Sequence, residues 1–271
     1  MALACSTSAF KASHEDALAE IAALGFRHAD LIAIPGFGQL IPAELARDFE
    51  AQARRAEAAL AKHDLTAVAV NAAFGHLRLR APELLAQRRA EVEAVAKLMR
   101  RLNVGVASFY PGFKAPELPW ADVLRDSAAT MREMLAIGRD YGVAFAIELH
   151  FNTPFENVEQ CARLFEVLPE LPVAYDPSHF AMQGIDLKDT KPFLDRAAHV
   201  HLRDAAPRKM QVPTGSGTVD FDWILNTLAA RKYPGHYSIE YLAGLEGGVH
   251  ESIKRLRARI SPRGDTLPRG G

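Results

Sequence analysis

Cysteine is scarce. The 271-residue chain has two, Cys5 and Cys161, far apart in sequence. They make neither a CxxC pair nor a disulfide framework, and they read as buried thiols in a reducing compartment. Neither sign of charge is in excess: the formal net charge is −1. That balance argues against nucleic acid or an anionic membrane as partner. No apolar run approaches the ~18 residues of a membrane helix. The opening MALACSTSAF has no basic segment ahead of a long apolar one, so no signal peptide is expected and a cytoplasmic location is. After the first strand-like run, STSAFKAS lacks the glycine-rich turn of a dinucleotide-binding doubly wound sheet. GSGTVD lacks the Gly-Lys-Ser/Thr of a phosphate loop. No Ser, His and Asp stand in an order that suggests a nucleophilic triad.

What is present is alternation. Short apolar runs alternate with segments of helical period, the pattern of an α/β fold with a parallel sheet. Strands are predicted at Ala2–Cys5, His28–Ala33, Leu65–Val70, Val104–Phe109, Val143–Leu149, Pro172–Tyr175, Ala198–Leu202 and His236–Tyr241. Helices are predicted at His14–Leu24, Ala43–Lys62, Pro82–Leu102, Ala121–Tyr141, Asn157–Leu168, Lys191–Ala197, Phe221–Lys232 and Gly248–Ile260. Eight strand–helix units without a composition break, in a chain near the ~250 residues typical of the fold, predict one (β/α)₈ TIM barrel. The domain is placed at 1–260. The tail 261–271, rich in Pro, Gly and Arg, is expected to be disordered.

Four side chains fall at the ends of the last four predicted strands: Glu148 in AFAIELH, Asp176 in VAYDPSHF, His201 in AAHVHLRD and Glu240 in HYSIEY. The gaps are 28, 25 and 39 residues (176−148, 201−176, 240−201), each about one strand–helix unit. The C-terminal ends of barrel strands are where this architecture places its chemistry. A buried carboxylate needs a partner, and carboxylates with one imidazole suit a hard or borderline divalent ion. Mn²⁺, Mg²⁺, Co²⁺ and Zn²⁺ all remain open, with manganese among the expectations. Asn71, His76 and Tyr110 lie just beyond predicted strand ends and are expected to line a substrate pocket.

IELHFNTPFEN, AYDPSHFAMQG, VHLRDA, GSGTVDFDWIL and YSIEY together resemble the sugar phosphate isomerase/epimerase superfamily, the xylose isomerase-like TIM barrels. The likeness extends back through YPG to STSAF and so covers nearly the whole chain. It implies a single divalent metal held by Glu148, Asp176, His201 and Glu240. It also implies that His179 faces the substrate or stands behind the ligands. Arg203, two residues past His201 on the same strand face, is placed to bind a substrate oxygen; the alternative is a surface salt bridge with Asp204. The implied chemistry is proton abstraction beside a metal-bound carbonyl, with Glu148 and Glu240 as the catalytic carboxylates, giving isomerisation or epimerisation of a sugar or polyol. Dehydration of a keto-cyclitol, 3-keto-sugar or dehydroshikimate-like acid shares the same first step. A non-catalytic sugar-binding barrel is a third reading. The ketose 3-epimerases of the superfamily carry a second substrate-facing Glu soon after the first. Here Glu156 falls late for that role. The three-zinc DNA-repair endonucleases need extra histidines on early strands, which this chain lacks. A homo-oligomer is compatible with the resemblance.

Overall fold

The computed structural model describes residues 2–37 and 39–264. Eight parallel strands close into a barrel in sequence order. They are β1 Leu3–Ser6, β2 His28–Ala33, β3 Thr66–Ala72, β4 Val106–Phe109, β5 Ala144–Glu148, β6 Val173–Tyr175, β7 Ala197–Leu202 and β8 Tyr237–Ile239. β1 closes against β8 through the pairs Leu3↔Tyr237, Ala4↔Ser238 and Cys5↔Ile239. Around the barrel run α1 His14–Ala23, α2 Pro42–Arg47, α3 Phe49–Lys62, α4 Pro82–Arg101, α5 Trp120–Tyr141, α6 Val158–Val167, α7 Ser178–Ala181, α8 Lys191–Leu194, α9 Phe221–Ala230 and α10 Val249–Gly264. The eight predicted strands are all present.

Two helical predictions differ from the structure. The helix expected over Ala43–Lys62 is broken into α2 and α3 at Asp48, whose backbone leaves the helical region (φ −144°, ψ 72°). Its carboxylate accepts the Ala51 N–H at 3.3 Å, so a residue that competes for backbone hydrogen bonds ends one helix and caps the next. After β6 the chain makes two four-residue helices with a 3₁₀ turn between them, Leu187–Thr190, instead of one helix over Lys191–Ala197. Pro177 and Pro192 stand at the starts of α7 and α8, where a missing N–H is tolerated, and mark where each short helix begins. At the C-terminus α10 runs to Gly264, into the segment expected as a tail; residues 265–271 lie outside the described part.

Strand side chains alternate between two environments. One set, including Phe109, Phe145, Ile147, Val173, Tyr175, Val200, Leu202 and Ile239, packs against the helices in one large apolar core. The other points into the bore, where Ala69, Val106, Ala146 and Ala174 form a separate small cluster. Above these small residues the same face carries polar groups.

The parity is adjusted twice. Pairing of β2 with β3 shifts between Ala29 and Asp30, and pairing of β6 with β7 shifts between Val173 and Ala174. Each shift skips one residue, Val68 or Ala198, and re-aims those that follow.

Candidate metal centre and active-site cavity

β5 and the residues just past β6 and β8 bring Glu148, Asp176 and Glu240 to the mouth of the bore, and β7 brings His201. One ligand atom from each lies within 4.8 Å of the others. All four are buried, none more than 5% exposed. His201 Nδ1 is 2.8 Å from Glu148 Oε1 and 3.1 Å from Glu240 Oε2. Asn71, at the end of β3, donates to Glu240 Oε1 at 2.8 Å and fixes that carboxylate's rotamer.

Arg203 completes the cluster. Its Nη2 donates to Asp176 Oδ2 at 2.6 Å and its Nε to Ser178 Oγ at 2.8 Å, while Nη1 lies 4.0 Å from Glu240 Oε2. The alternative pairing with Asp204 does not form. Asp204 instead accepts backbone N–H groups of the GSGTV loop, from Gly215 (2.8 Å), Gly217 (3.0 Å) and Val219 (3.4 Å). A Cβ at Gly217 would stand 2.0 Å from Asp204 Oδ1, so this close approach requires glycine. The GSG motif thus folds the β7–α9 loop around a carboxylate of the protein itself.

Electrostatics divide the cluster. Burial raises the Glu148 pKa, but the His201 hydrogen bond and charge outweigh it and hold the carboxyl below its usual range. Burial pushes Glu240 up; Glu148 and Asp176 add to this, against His201 and Arg203. Burial disfavours charge on His201, yet Glu240, Asp30 and Glu148 overcome it and raise that imidazole well above its ordinary value. Among the described residues, three carboxylates and a fourth just below, Asp30, crowd against one guanidinium and the His201 imidazole. Buried charges in such excess call for a counter-ion. Three carboxylate donors and one imidazole nitrogen match the donor preference of a divalent cation. The residues therefore fit a metal.

The cavity over this cluster measures about 220 Å³ and is lined by Asn71, Tyr110, Glu148, His150, Arg203 and Glu240 together with Ile32, Phe37 and Met210. A larger cleft of about 690 Å³ lies beside it, between Phe10, Lys11 and Ala243, and shares Phe37 and Leu242 with it. The larger space carries no acidic cluster; Glu148 and Glu240 line the smaller one.

Of the expected pocket residues, Asn71 and Tyr110 line the cavity. His76 does not. Arg88 of α4 binds the carbonyls of Phe74, His76 and Leu79 and folds the β3 loop back, leaving the His76 ring against Phe113. His179 is fully buried behind the wall; its Nε2 lies 3.0 Å from Arg203 Nη2 and its ring 3.7 Å from that of His150. Burial, with the charges of His150 and Arg203, lowers the His179 pKa well below normal, which suits a neutral ring accepting from Arg203. Glu156 turns away from the cavity to Lys114 (3.0 Å) and the Asn152 N–H (2.7 Å).

Three site residues escaped the sequence reading: His150, Asp30 and His199. His150 stands two residues past Glu148, and strand periodicity could have placed it beside that carboxylate. Its Nδ1 lies 2.5 Å from the Phe151 carbonyl, an arrangement that leaves Nε2 as an acceptor. Asp30 interrupts the apolar run ADLIA, and a mid-strand carboxylate signals a buried partner.

A sequence profile of xylose isomerase-like TIM barrels matches residues 18–259. The chain belongs to that family. Among curated relatives of this barrel, inosose dehydratase of Clostridium perfringens is 24% identical over 135 residues, covering 42% of this chain and 45% of the relative. The match thus spans less than half the length of that protein. Among solved structures, this xylose isomerase-like barrel is similar to 3-keto-D-glucoside 4-epimerase of E. coli (TM-score 0.74, 15% identity, 95% and 99% of the two chains). It is also similar to the IOLI protein, solved with a zinc atom bound (TM-score 0.70, 16% identity, 96% and 97%). Identities this low establish a shared fold. No described helix is long and apolar enough to cross a membrane.

Proposed function

We propose that this protein is a divalent-metal-dependent enzyme that isomerises or epimerises a sugar, keto-sugar or polyol by moving a proton beside a carbonyl. One observation carries the reading: two carboxylates, Glu148 and Glu240, line one small cavity and converge with Asp176 and His201 on a common centre. Glu148, Asp176, His201 and Glu240 would hold the ion. A bound divalent ion supplies Lewis acidity, which makes the C–H next to a substrate carbonyl easier to ionise.

The chain's own groups do the rest. Each of Glu148 and Glu240 has two carboxylate oxygens, so a carboxylate that would help to hold the ion could still exchange a proton. One, ionised, takes the carbon-bound proton, and the other, already protonated, delivers its own. Delivery to the opposite face of the same carbon inverts the centre; delivery to the neighbouring carbon, with the hydroxyl proton passing to the former carbonyl oxygen, moves the carbonyl. Asn71 steadies Glu240 through Oε1. Arg203 orients Asp176. Tyr110, just past β4, and His150, just past β5, offer polar atoms to substrate hydroxyls. The ligand is a small molecule, and a cavity of about 220 Å³ suits one sugar-sized ring.

Dehydration is the second reading, supported by the partial likeness to inosose dehydratase. It begins with the same proton loss and ends with departure of a β-hydroxyl. Incubation of the metal-loaded protein with candidate ketoses and keto-polyols in D₂O separates the two. Deuterium wash-in without loss of water is the expected result. A new conjugated-enone absorbance would move the assignment to the lyase. A protein that takes up no divalent ion on titration would overturn both.

A further inference from the structure

Below the proposed metal ligands the bore holds a second polar group, with no part in the mechanism above. Asp30 of β2 is fully buried. Its Oδ2 lies 3.1 Å from His201 Nε2 and 3.0 Å from His199 Nε2. Ser238 Oγ of β8 lies 3.0 Å from the same His199 nitrogen. A carboxylate enclosed in a barrel's bore is costly unless it is paired and hydrogen-bonded. Replacing a whole buried ion pair by apolar groups of similar size is commonly neutral or stabilising, whereas removing one partner alone is costly. The set of Asp30, His199 and His201 as a whole therefore asks for a reason other than stability.

The backbone delivers these groups deliberately. The β2–β3 register shift falls between Ala29 and Asp30. The β6–β7 shift sets His199 opposite Ala174 and turns it inward. Bulges of this kind recur beside active sites, where they re-aim side chains. The two nitrogens of His201 consequently face different partners. Nδ1 looks up to Glu148 and Glu240, at 2.8 and 3.1 Å. Nε2 looks down to Asp30. An acceptor at Nε2 keeps a proton there, so the lone pair available to a cation is on Nδ1.

We propose that Asp30 is a positioning residue: its Oδ2 holds the His201 ring in the orientation and Nε2–H tautomer that present Nδ1 to a divalent cation, while His199 and Ser238 brace it from the far side of the bore. The inference rests on the metal reading above. The same three residues, Asp30, His199 and His201, also have ligand atoms within 4.8 Å of one another, so a second cation is the competing assignment. The geometry favours hydrogen bonds: a single carboxylate oxygen serves both imidazoles at 3.0–3.1 Å.

Calorimetric titration of Zn²⁺ into the metal-free full-length protein, its Asp30→Asn variant and its Asp30→Leu variant tests this. The wild type should bind one ion. Asp30→Asn keeps an acceptor but loses the charge, and its affinity should fall about tenfold; Asp30→Leu removes the acceptor, and its affinity should fall about 100-fold. The zinc-loaded proteins give a second readout that a purely structural role would not move. A slowly exchanging His201 Nε2–H signal in ¹⁵N-edited NMR should be present in the wild type and absent from Asp30→Leu. Should Asp30→Leu fail to fold, as judged by its circular dichroism, Asp30→Asn decides alone. Unchanged zinc affinity in the variants that fold would overturn the assignment and leave the metal reading intact. Two ions in the wild type and one in Asp30→Asn would replace it with a second cation site. No ion in the wild type would overturn it together with the metal reading.

Discussion

The two faces of the barrel strands are built on opposite principles. The outer face presents large side chains, Phe109, Phe145, Tyr175 and Ile239 among them, to the helices in one continuous core. The inner face is small and then polar. Barrels of this class commonly fill the bore with bulky branched residues. Here three alanines, Ala69, Ala146 and Ala174, stand there with Val106, and Asp30, His199, His201, Glu148 and Glu240 are buried polar groups of the same bore. The outer face supplies stability through burial of apolar area. The inner face holds charges at a cost, and it is the face on which the proposed function rests. Strands with period two let one short sequence do both.

That contrast can be broken at either face. The largest effect is expected at the inner one. Glu148→Gln and Glu240→Gln should each lower the rate of deuterium exchange into substrate by about 10²–10⁴-fold, with a melting temperature close to wild type. If both variants exchange at near-normal rates, the two-carboxylate mechanism is wrong.

Phe145→Ala attacks the outer face. It should cost about 3–5 kcal/mol in urea unfolding, with zinc affinity unaltered. A cost under about 1 kcal/mol would mean that the outer core is not where stability resides.

Acid should act outside the bore as well. His14 at the start of α1 is buried, and burial, aided by the Arg55 charge, lowers its pKa to about 4. The unfolded chain, with a His pKa of ~6.5, takes up that proton first. The contribution of His14 is therefore fully present above about pH 6.5 and is lost as pH falls through 4, about 3 kcal/mol in all. His14→Gln should flatten the stability profile between those two values; a profile as steep as wild type would assign the acid sensitivity to the bore.

The smallest effect is reserved for overfilling. Ala146→Leu places a bulky residue in the bore, two positions below Glu148. It should cost about 1–3 kcal/mol and weaken zinc binding by crowding that carboxylate. Unchanged stability and affinity would show spare volume where the small cluster packs.

Much of this was legible in the chain. Glu148, Asp176, His201 and Glu240 could be found because each ends a recognisable strand, and eight such units imply a barrel with its chemistry at one mouth. The structure brings one ligand atom of each within 4.8 Å of the others. Other residues were hidden for stated reasons. His76 sits next to a strand end yet is drawn aside by Arg88, a helix residue 12 positions away. Arg203 has an acidic neighbour in Asp204, but its partner is Asp176. Asp30 meets His199 across the bore, 169 positions along the chain. Asp48 reads as one polar residue in a long helix, and only its backbone shows the break.

The sequence alone determined the alternation of strand and helix, the absence of a nucleotide-binding turn and the order in which four donor residues arrive at strand ends. These follow from local rules: period two in strands, helical period between them, and the cost of burying a charge without a partner. Tertiary structure alone decided which charge meets which. β1 had to close on β8, and two register shifts had to rotate Asp30 and His199 inward, before His201 acquired a carboxylate on each side of its ring. Pairing across a closed bore depends on strand register and stagger, and no local pattern in the chain carries that information.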